Sequence, residues 1–575
     1  MKWSSVITVF MAVAILVICV SMALAANDPI TFENVKAKNG MVAAANGLAS
    51  RVGVEILQKG GNAIDAAVAT ALALNVVEPN ASGLGGGGFA TIRLADGSVV
   101  CWDFREIAPL ASTKDLFASE QAQKEKWSTF GGKAVAVPGS VCGLFTLLNK
   151  YGTLPFAEVV APAIKLAEEG FIVDDLLASI VTDNFEKISQ FNPDGTPYTP
   201  DGLPIQAGST LKNPMLAKSF KLLADKGLDV FYKGEIGDAV VAAVVKAGGI
   251  MTKEDLPAYK IEQREPVKGT YRGYTVIAPP PASSGGVHVI EILNIMETFP
   301  VVTWGHNSEN FIHALAETSK MMFADRAKYM ADTAFAKVPL EGLMSKEYAK
   351  TQAERIGDTA MKTIEPGDPF AFEVRKSYHV PAGEHNYHHS TTHFSVMDNK
   401  GNIVAWTWTI NNFFGSGVFV PDYGFMLNDE MDDFSSNPAS VNAPEPGKRP
   451  LSSMTPTLVL DKVGGPFMAL GSPGATRIIL AVAQIIMNAV DFGMSMDEAI
   501  EAPRIFNTVS GTNAGKLLIE AGVAQSTLDA LAKRGHDLDP RPKGLYFGGA
   551  QGIMLKDGEF VGGADSRRNG VAVGF

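Results

Sequence analysis

Apolar residues gather along this chain in runs of different kinds. One is continuous, from about Val6 to Leu24. A second, "NAIDAAVATALALNV" (62–76), is apolar on nearly every face and predicts a helix in the middle of a layered core, with Asn62 as its N-cap. Amphipathic stretches at 155–169 and 212–226 predict helices with one wet face, and a long helical region (about 287–331) follows the breaker run "APPPASSGG" (278–286). Period-two runs predict strands: "FATIRL" (89–94), "TTHFSVMD" (391–398) and "NIVAWTWTI" (402–410). The last two are joined by "NKG" (399–401), where Gly401 supplies the positive φ that ends a three-residue hairpin loop. If 398 pairs with 402, partners sum to 800, and Thr391 faces Thr409 on one side of the sheet. A slip of one residue would separate them. A helix over about 515–534 and two further strands complete the pattern. Residues 365–390, polar and holding four of the nine histidines, read as an exposed loop.

At 575 residues, 46% apolar and 19% charged, the chain is globular and long enough for about three or four domains. Its formal charge of −12 argues against general affinity for nucleic acid. The first apolar run follows Lys2 and ends in Ala23-Leu24-Ala25, so residues 1–25 read as an export signal cut after Ala25. Loss of the Lys2 charge alone then takes the net charge from −12 to −13. The expected destination is a periplasm or the medium, with no membrane association after signal removal. An uncleaved anchor is the alternative, because roughly 18 apolar residues can span a bilayer. Leu16-Val17-Ile18-Cys19 lacks the small residue of a lipoprotein box. Cys101 and Cys142 then permit one disulfide and exclude a disulfide scaffold.

"HHSTTHFSV" (388–396) raises two chemistries, a metal and a hydroxyl nucleophile. His385, His388, His389 and His393 lie within nine residues, but the i, i+4 pair His389/His393 shares a face only on a helix, and 391–397 alternates as a strand. With no HExxH and no cysteine nearby, a solvated, histidine-bearing loop is the better reading. A threonine hydroxyl needs an adjacent base, and its own α-amine, freed by a cut at Ser390–Thr391, would serve. Ser or Thr before a strand is common, so the pattern alone does not single out catalysis. "GLGGGG" (83–88) lacks the Lys-Ser/Thr of a phosphate loop and reads as a tight backbone passage. "STLK" (209–212) has no Lys-Thr-Gly partner. "NDEMDD" (428–433) lacks the turn glycine of a calcium loop and reads as a polar turn.

A set of motifs, in order and at compatible spacing, resembles the γ-glutamyltranspeptidases (γ-glutamyltransferases) from about Lys36 to Phe575. They are "GGNAIDAAVATALALNVVEP", "GLGGGGFA", "DFREIAP", "VPGSVCG", "PPPASSGG", "STTHFSV", "LNDEMDDF", "KRPLSSMTPT", "GSPGATR" and "DSRRNGVAVGF". The resemblance implies an α+β fold, a four-layer αββα sandwich of the N-terminal-nucleophile hydrolase type. It implies self-cleavage at Ser390–Thr391 into a large subunit (26–390) and a small one (391–575), held together as a heterodimer of the chain's own fragments. Thr391 would be the nucleophile and Thr409 its hydrogen-bonding partner, with the amides of Gly474 and Ala475 as oxyanion hole. Arg105, Ser452 and Ser453 would hold the substrate's carboxylate, and Asn411, Glu430 and Asp433 its ammonium. The substrates implied are glutathione and other γ-glutamyl compounds, with water, amino acids or peptides as acceptors. No metal or organic cofactor is implied.

Two departures bear on this. Ala475 stands where the family's "SPGG" has glycine, and a methyl group there crowds the turn. Only 16 residues (434–449) separate Asp433 from Pro450, where many bacterial relatives carry a longer lid. A short loop suggests an open site, leaves the balance of hydrolysis and transfer undetermined, and admits bulkier acyl groups. The rival enzyme is therefore a glutaryl or cephalosporin acylase on the same fold, whose substrates lack the ammonium that Glu430 and Asp433 would hold. A catalytically silent protein keeping the fold is the third reading.

Overall fold

The computed structural model describes residues 35–373, 390–511 and 513–575. The export signal and His385, His388 and His389 lie outside the described residues. Two seven-stranded antiparallel sheets stack face to face. The first runs Val571–Gly574, Gly40–Ala44, Thr392–Asp398, Ile403–Thr409, Gly87–Arg93, Val99–Asp103, Glu262–Arg264. The second runs Val35–Ala37, Glu559–Ala564, Gln551–Lys556, Pro466–Gly471, Thr457–Leu460, Tyr274–Ala278, Val267–Tyr271. Each sheet takes strands from both sides of residue 391, so neither segment makes either sheet alone.

Every residue of Thr392–Asp398 and Ile403–Thr409 is buried. Their alternation separates two kinds of burial. Phe394, Val396, Val404, Trp406 and Trp408 point outward into one core with the helices Gly47–Gln58, Ala63–Val77 and Ser140–Tyr151. Met397, Ile403 and Ala405 point inward and meet Ile277, Leu458, Ala469 and Ile553 of the second sheet. Bulky side chains thus face helices, and smaller or polar ones face the sheet–sheet layer. On its far side the second sheet is covered by Gly285–Met296, Glu309–Tyr329 and Arg477–Phe492. The order helix, sheet, sheet, helix is the four-layer αββα sandwich expected.

The all-apolar segment forms the helix Ala63–Val77, buried at all of its positions and closed by a capping box between Asn62 and Asp65. The amphipathic stretches become Phe156–Glu169 and Pro214–Lys226. Three expectations fail. The helical region 287–331 is three helices, Gly285–Met296, Val301–Trp304 and Glu309–Tyr329, broken at Pro300 and at Gly305, whose φ is +87°. The segment 515–534 is a strand, Lys516–Glu520, then a helix, Gln525–Lys533, turned by Gly522 at φ +113°. Pairing with Ile505–Asn507 and Asp537–Arg541 overrides its helical periodicity. After that helix come four strands, not two: Asp537–Arg541, Gln551–Lys556, Glu559–Ala564 and Val571–Gly574. Cys101 and Cys142 are both free thiols, so the possible disulfide is not formed.

Candidate active site

The hairpin holds the expected register, Thr392 opposite Trp408 through Met397 opposite Ile403. Thr391 and Thr409 accordingly meet, with 3.0 Å between their Oγ1 atoms. The Asn411 amide donates to Thr409 Oγ1 at 2.7 Å, so the Thr409 proton is free to point at Thr391. Arg568 Nη1 donates to the Thr391 carbonyl at 2.6 Å, and the Ser390 amide donates to the Asn411 carbonyl at 2.7 Å. Thr391 sits at φ +92°, a left-handed backbone that a β-branched residue adopts only under strain of order 1–3 kcal/mol. The strained torsion includes the bond to Ser390, so cutting that peptide would release it. The Gly-rich passage is as tight as expected: a Cβ on Gly86 would be driven into the Thr409 carbonyl oxygen.

One cleft gathers Thr391, Thr409, Asn411, Arg105, Glu430, Asp433, Ser452, Ser453 and Ala475. Gly474 stands next to Ala475 in the chain but does not line it. Arg105 is held at its base by the Asp103 carboxylate, which accepts its amide at 3.0 Å, and by the Tyr259 hydroxyl on its carbonyl at 2.9 Å. Its guanidinium, 1% exposed, pairs with Glu430 at 2.6 Å and with Asp433, and Glu106 lies 3.7 Å away. The predicted carboxylate clamp and the predicted ammonium holders are therefore bonded to each other. Three carboxylates share one cation. Burial raises the Glu106 carboxyl to about 8 and Glu430 well above its ordinary value, with Arg105 opposing both. A second cation is what this cluster lacks electrostatically, and a zwitterion bringing an ammonium and a carboxylate would satisfy it. The cleft has a free volume of about 20 Å³, near that of one water, so a substrate head must displace the pairs bridging it.

Ser452 Oγ accepts the Met454 amide at 3.1 Å, and Ser453 Oγ accepts from Arg326 at 3.0 Å. Sequence reasoning missed Arg326. It lies in the last turn of Glu309–Tyr329, 4% exposed, and also donates to Ser284 at 2.9 Å. Arg568 was missed too, although its motif was recognised. The short loop is pinned by Asn442, which donates to the Asp433 carbonyl at 2.7 Å and accepts the Leu451 amide at 3.2 Å.

Gly474 and Ala475 have φ of +127° and +56°, and among the described residues no hydrogen bond takes up either amide. They precede the N-terminus of the 16-residue helix Arg477–Phe492, whose dipole favours negative charge there. As for metals, His393 is no solvated loop histidine. It is fully buried between the hydroxyls of Thr407 (2.8 Å) and Ser395 (3.1 Å), and burial lowers it to about 3. His313, Glu317 and His536 converge elsewhere, with ligand atoms within 4.8 Å. There Lys320 already donates to Glu317 at 2.7 Å and His313 bonds His536 at 2.8 Å, which reads as a structural network.

The chain is 41% identical to a glutathione hydrolase proenzyme of Escherichia coli, over 93% of this chain and 92% of that one. It superposes on a cephalosporin acylase from Bacillus halodurans with TM-score 0.85 at 31% identity, covering 95% and 98% of the two chains. With the Helicobacter pylori gamma-glutamyltranspeptidase the TM-score is 0.54 at 41% identity, covering 56% of this chain and 94% of that one. Residues 49–575 match the family described as Gamma-glutamyltranspeptidase, and the chain belongs to that family.

Proposed function

We propose that this protein is a γ-glutamyltransferase and glutathione hydrolase that uses Thr391 as an N-terminal nucleophile. A cut at Ser390–Thr391 frees the Thr391 α-amine, whose ordinary pKa of about 7.7–8.0 suits a general base. The amine takes the hydroxyl proton as Oγ1 attacks the γ-amide carbonyl of the donor. The tetrahedral oxyanion lies against the amides of Gly474 and Ala475. Collapse expels the amine, which leaves with the proton, and a γ-glutamyl ester remains on Thr391. Water or an acceptor amine then attacks that ester, and the α-amine again accepts the proton. The donor's α-carboxylate would lie on Arg105 with Ser452 and Ser453. Its α-ammonium would lie on Glu430, Asp433 and Asn411.

The observation that carries this reading is the Arg105 guanidinium with the Glu430 and Asp433 carboxylates in the cleft beside Thr391, backed by Glu106 3.7 Å from Arg105. The working form would be the heterodimer of fragments 26–390 and 391–575, exported by the signal that ends at Ala25. Intact mass and a denaturing gel on wild type and Thr391→Ala test it. Two fragments with the smaller starting at Thr391, absent in the variant, support the nucleophile. An uncut wild type without γ-glutamyl turnover refutes it. The acylase reading draws on the likeness to the Bacillus halodurans cephalosporin acylase. Turnover of a glutaryl anilide at or above the rate of the γ-glutamyl anilide would establish it instead, because glutarate has no ammonium for Glu430 and Asp433.

A further inference from the structure

A second cavity, of about 800 Å³, adjoins the cleft. The two share Asp432, and Asn412 and Arg477 on the larger wall directly follow Asn411 and Thr476 of the smaller. A cleft with room for one water cannot also take the amine half of a γ-glutamyl amide, and this cavity can. Its walls carry the aromatic rings of Phe117, Phe130, Phe413 and Tyr546.

Its four cations differ in how far they are committed, and Lys126 lies 5.2 Å from the centre of the Phe130 ring. Lys187 donates to the carbonyls of Phe413 (2.5 Å) and Gly415 (3.0 Å). Arg568 holds the Thr391 carbonyl and lies 3.7 Å from Glu78. Arg477 has neither kind of tie: its guanidinium lies over the Tyr546 ring at 4.5 Å, its Nε is buried without a partner, and among the described residues it forms no ion pair. Of the two acids on the wall, Asp429 accepts the Asn412 amide at 2.9 Å and Asp432 accepts from Ser128 at 2.7 Å. The Arg477 amide donates to the Gly474 carbonyl at 3.1 Å, closing the turn that presents the free amides of Gly474 and Ala475. The Arg477 backbone therefore borders the proposed oxyanion turn, while its side chain, held among the described residues only by Tyr546, lines the cavity.

We propose that this cavity is the amine subsite of the reaction proposed above, and that Arg477 selects amines carrying a carboxylate on an aromatic or apolar body. The inference rests on the γ-glutamyl reading. A guanidinium stacked on a ring keeps its edge open for bidentate pairing with a carboxylate, and the neighbouring rings cover the apolar body. The same selection applies to leaving amines and to acceptors.

The test uses the purified, processed protein and two donors that differ by one ring carboxylate, γ-glutamyl-4-nitroanilide and γ-glutamyl-3-carboxy-4-nitroanilide. The readout is the ratio of their kcat/KM values, since damage to the adjacent oxyanion turn affects both donors and cancels. Wild type should favour the carboxylated donor, and Arg477→Gln should lower the ratio about tenfold or more, as expected for loss of a charge-assisted pair. Arg477→Lys should restore part of it. An unchanged ratio in Arg477→Gln overturns the proposal. A second measurement needs no variant: wild type should transfer to Gly-Phe in preference to the C-terminal amide of Gly-Phe, and equal transfer overturns it too. If wild type turns over neither donor, the γ-glutamyl reading itself falls, and this inference falls with it.

Discussion

Thr409→Val replaces a hydroxyl with a methyl group of similar shape, at a residue 1% exposed. Two hydrogen bonds disappear. The first is the 2.7 Å bond from the Asn411 amide, which is left buried and unpaired at a cost of about 1–3 kcal/mol of folding stability. The second is the 3.0 Å contact with Thr391 Oγ1. In the ground state that contact joins two neutral groups. As Thr391 attacks and again as it leaves, its oxygen carries developing charge, and a hydrogen bond to a charged group contributes about 1.5–3 kcal/mol. The difference from the about 0.5–1.5 kcal/mol of a neutral pair is about 1–1.5 kcal/mol and predicts a fall in kcat of roughly five- to twelvefold. KM should stay within about twofold, because the Thr409 hydroxyl is occupied by Thr391 and the Asn411 amide and does not reach Arg105 or Glu430. Steady-state hydrolysis of a γ-glutamyl anilide gives both constants, and urea unfolding gives the stability loss. Thr409→Ser keeps the hydroxyl and should recover most of kcat. A valine variant with kcat within twofold of wild type would refute the assignment, as would a serine variant no better than valine.

Three further predictions follow from the surroundings of Thr391. Burial raises Glu78 to about 7 against the opposing charge of Arg568, so the folded state holds its proton more tightly than the unfolded chain, where the pKa is near 4.5. Its contribution is therefore full below pH 4.5 and is lost as pH rises through 7, by about 3 kcal/mol. Glu78→Gln should flatten that part of a stability–pH curve measured by urea unfolding, and an unchanged slope would contradict it. Ala475→Gly should gain about 0.5–1 kcal/mol in the same assay, because an L-residue at φ +56° costs about 1–2 kcal/mol and glycine's extra unfolded-state freedom returns part of it. The amide remains, so kcat should hold; a tenfold loss would mean the methyl group itself matters. Arg326→Met removes the donor to Ser453 and Ser284, and should raise KM for γ-glutamyl donors about tenfold with a smaller change in kcat. Equal losses in both constants would argue that Arg326 acts on the nucleophile instead.

What could be read without the structure followed the range of the interactions involved. The Thr391–Thr409 pair was legible because a hairpin of 19 residues, with Gly401 at its turn, leaves one register that keeps both faces consistent. The helix Ala63–Val77 was legible because nothing but a core accepts a helix apolar all round. The ion-paired cluster around Arg105 was legible only through the family's motifs. Arg105 and Asp433 are 328 positions apart, and no periodicity connects them. The segment 515–534 failed for the complementary reason: its local pattern is helical, and only the partner strands at 505–507 and 537–541 make Lys516–Glu520 extended.

Arg326 and Arg568 show a further limit that comes from charge. An arginine in a sequence defaults to the surface, because burying a guanidinium costs several kcal/mol unless specific partners await it. Those partners are set by the fold: Arg568 reaches the Thr391 carbonyl across 177 positions, and Arg326 reaches Ser453 across 127. Each supplies buried donors where a buried carboxylate is not the main partner, and each ends on a residue of the proposed site. Long-range burial of a cation on a hydroxyl or carbonyl is expensive as architecture alone. Its recurrence at Arg326 and Arg568, on the walls of the cleft and of the cavity beside it, is the signature expected of a site that would receive anions such as the proposed substrate carboxylate and oxyanion.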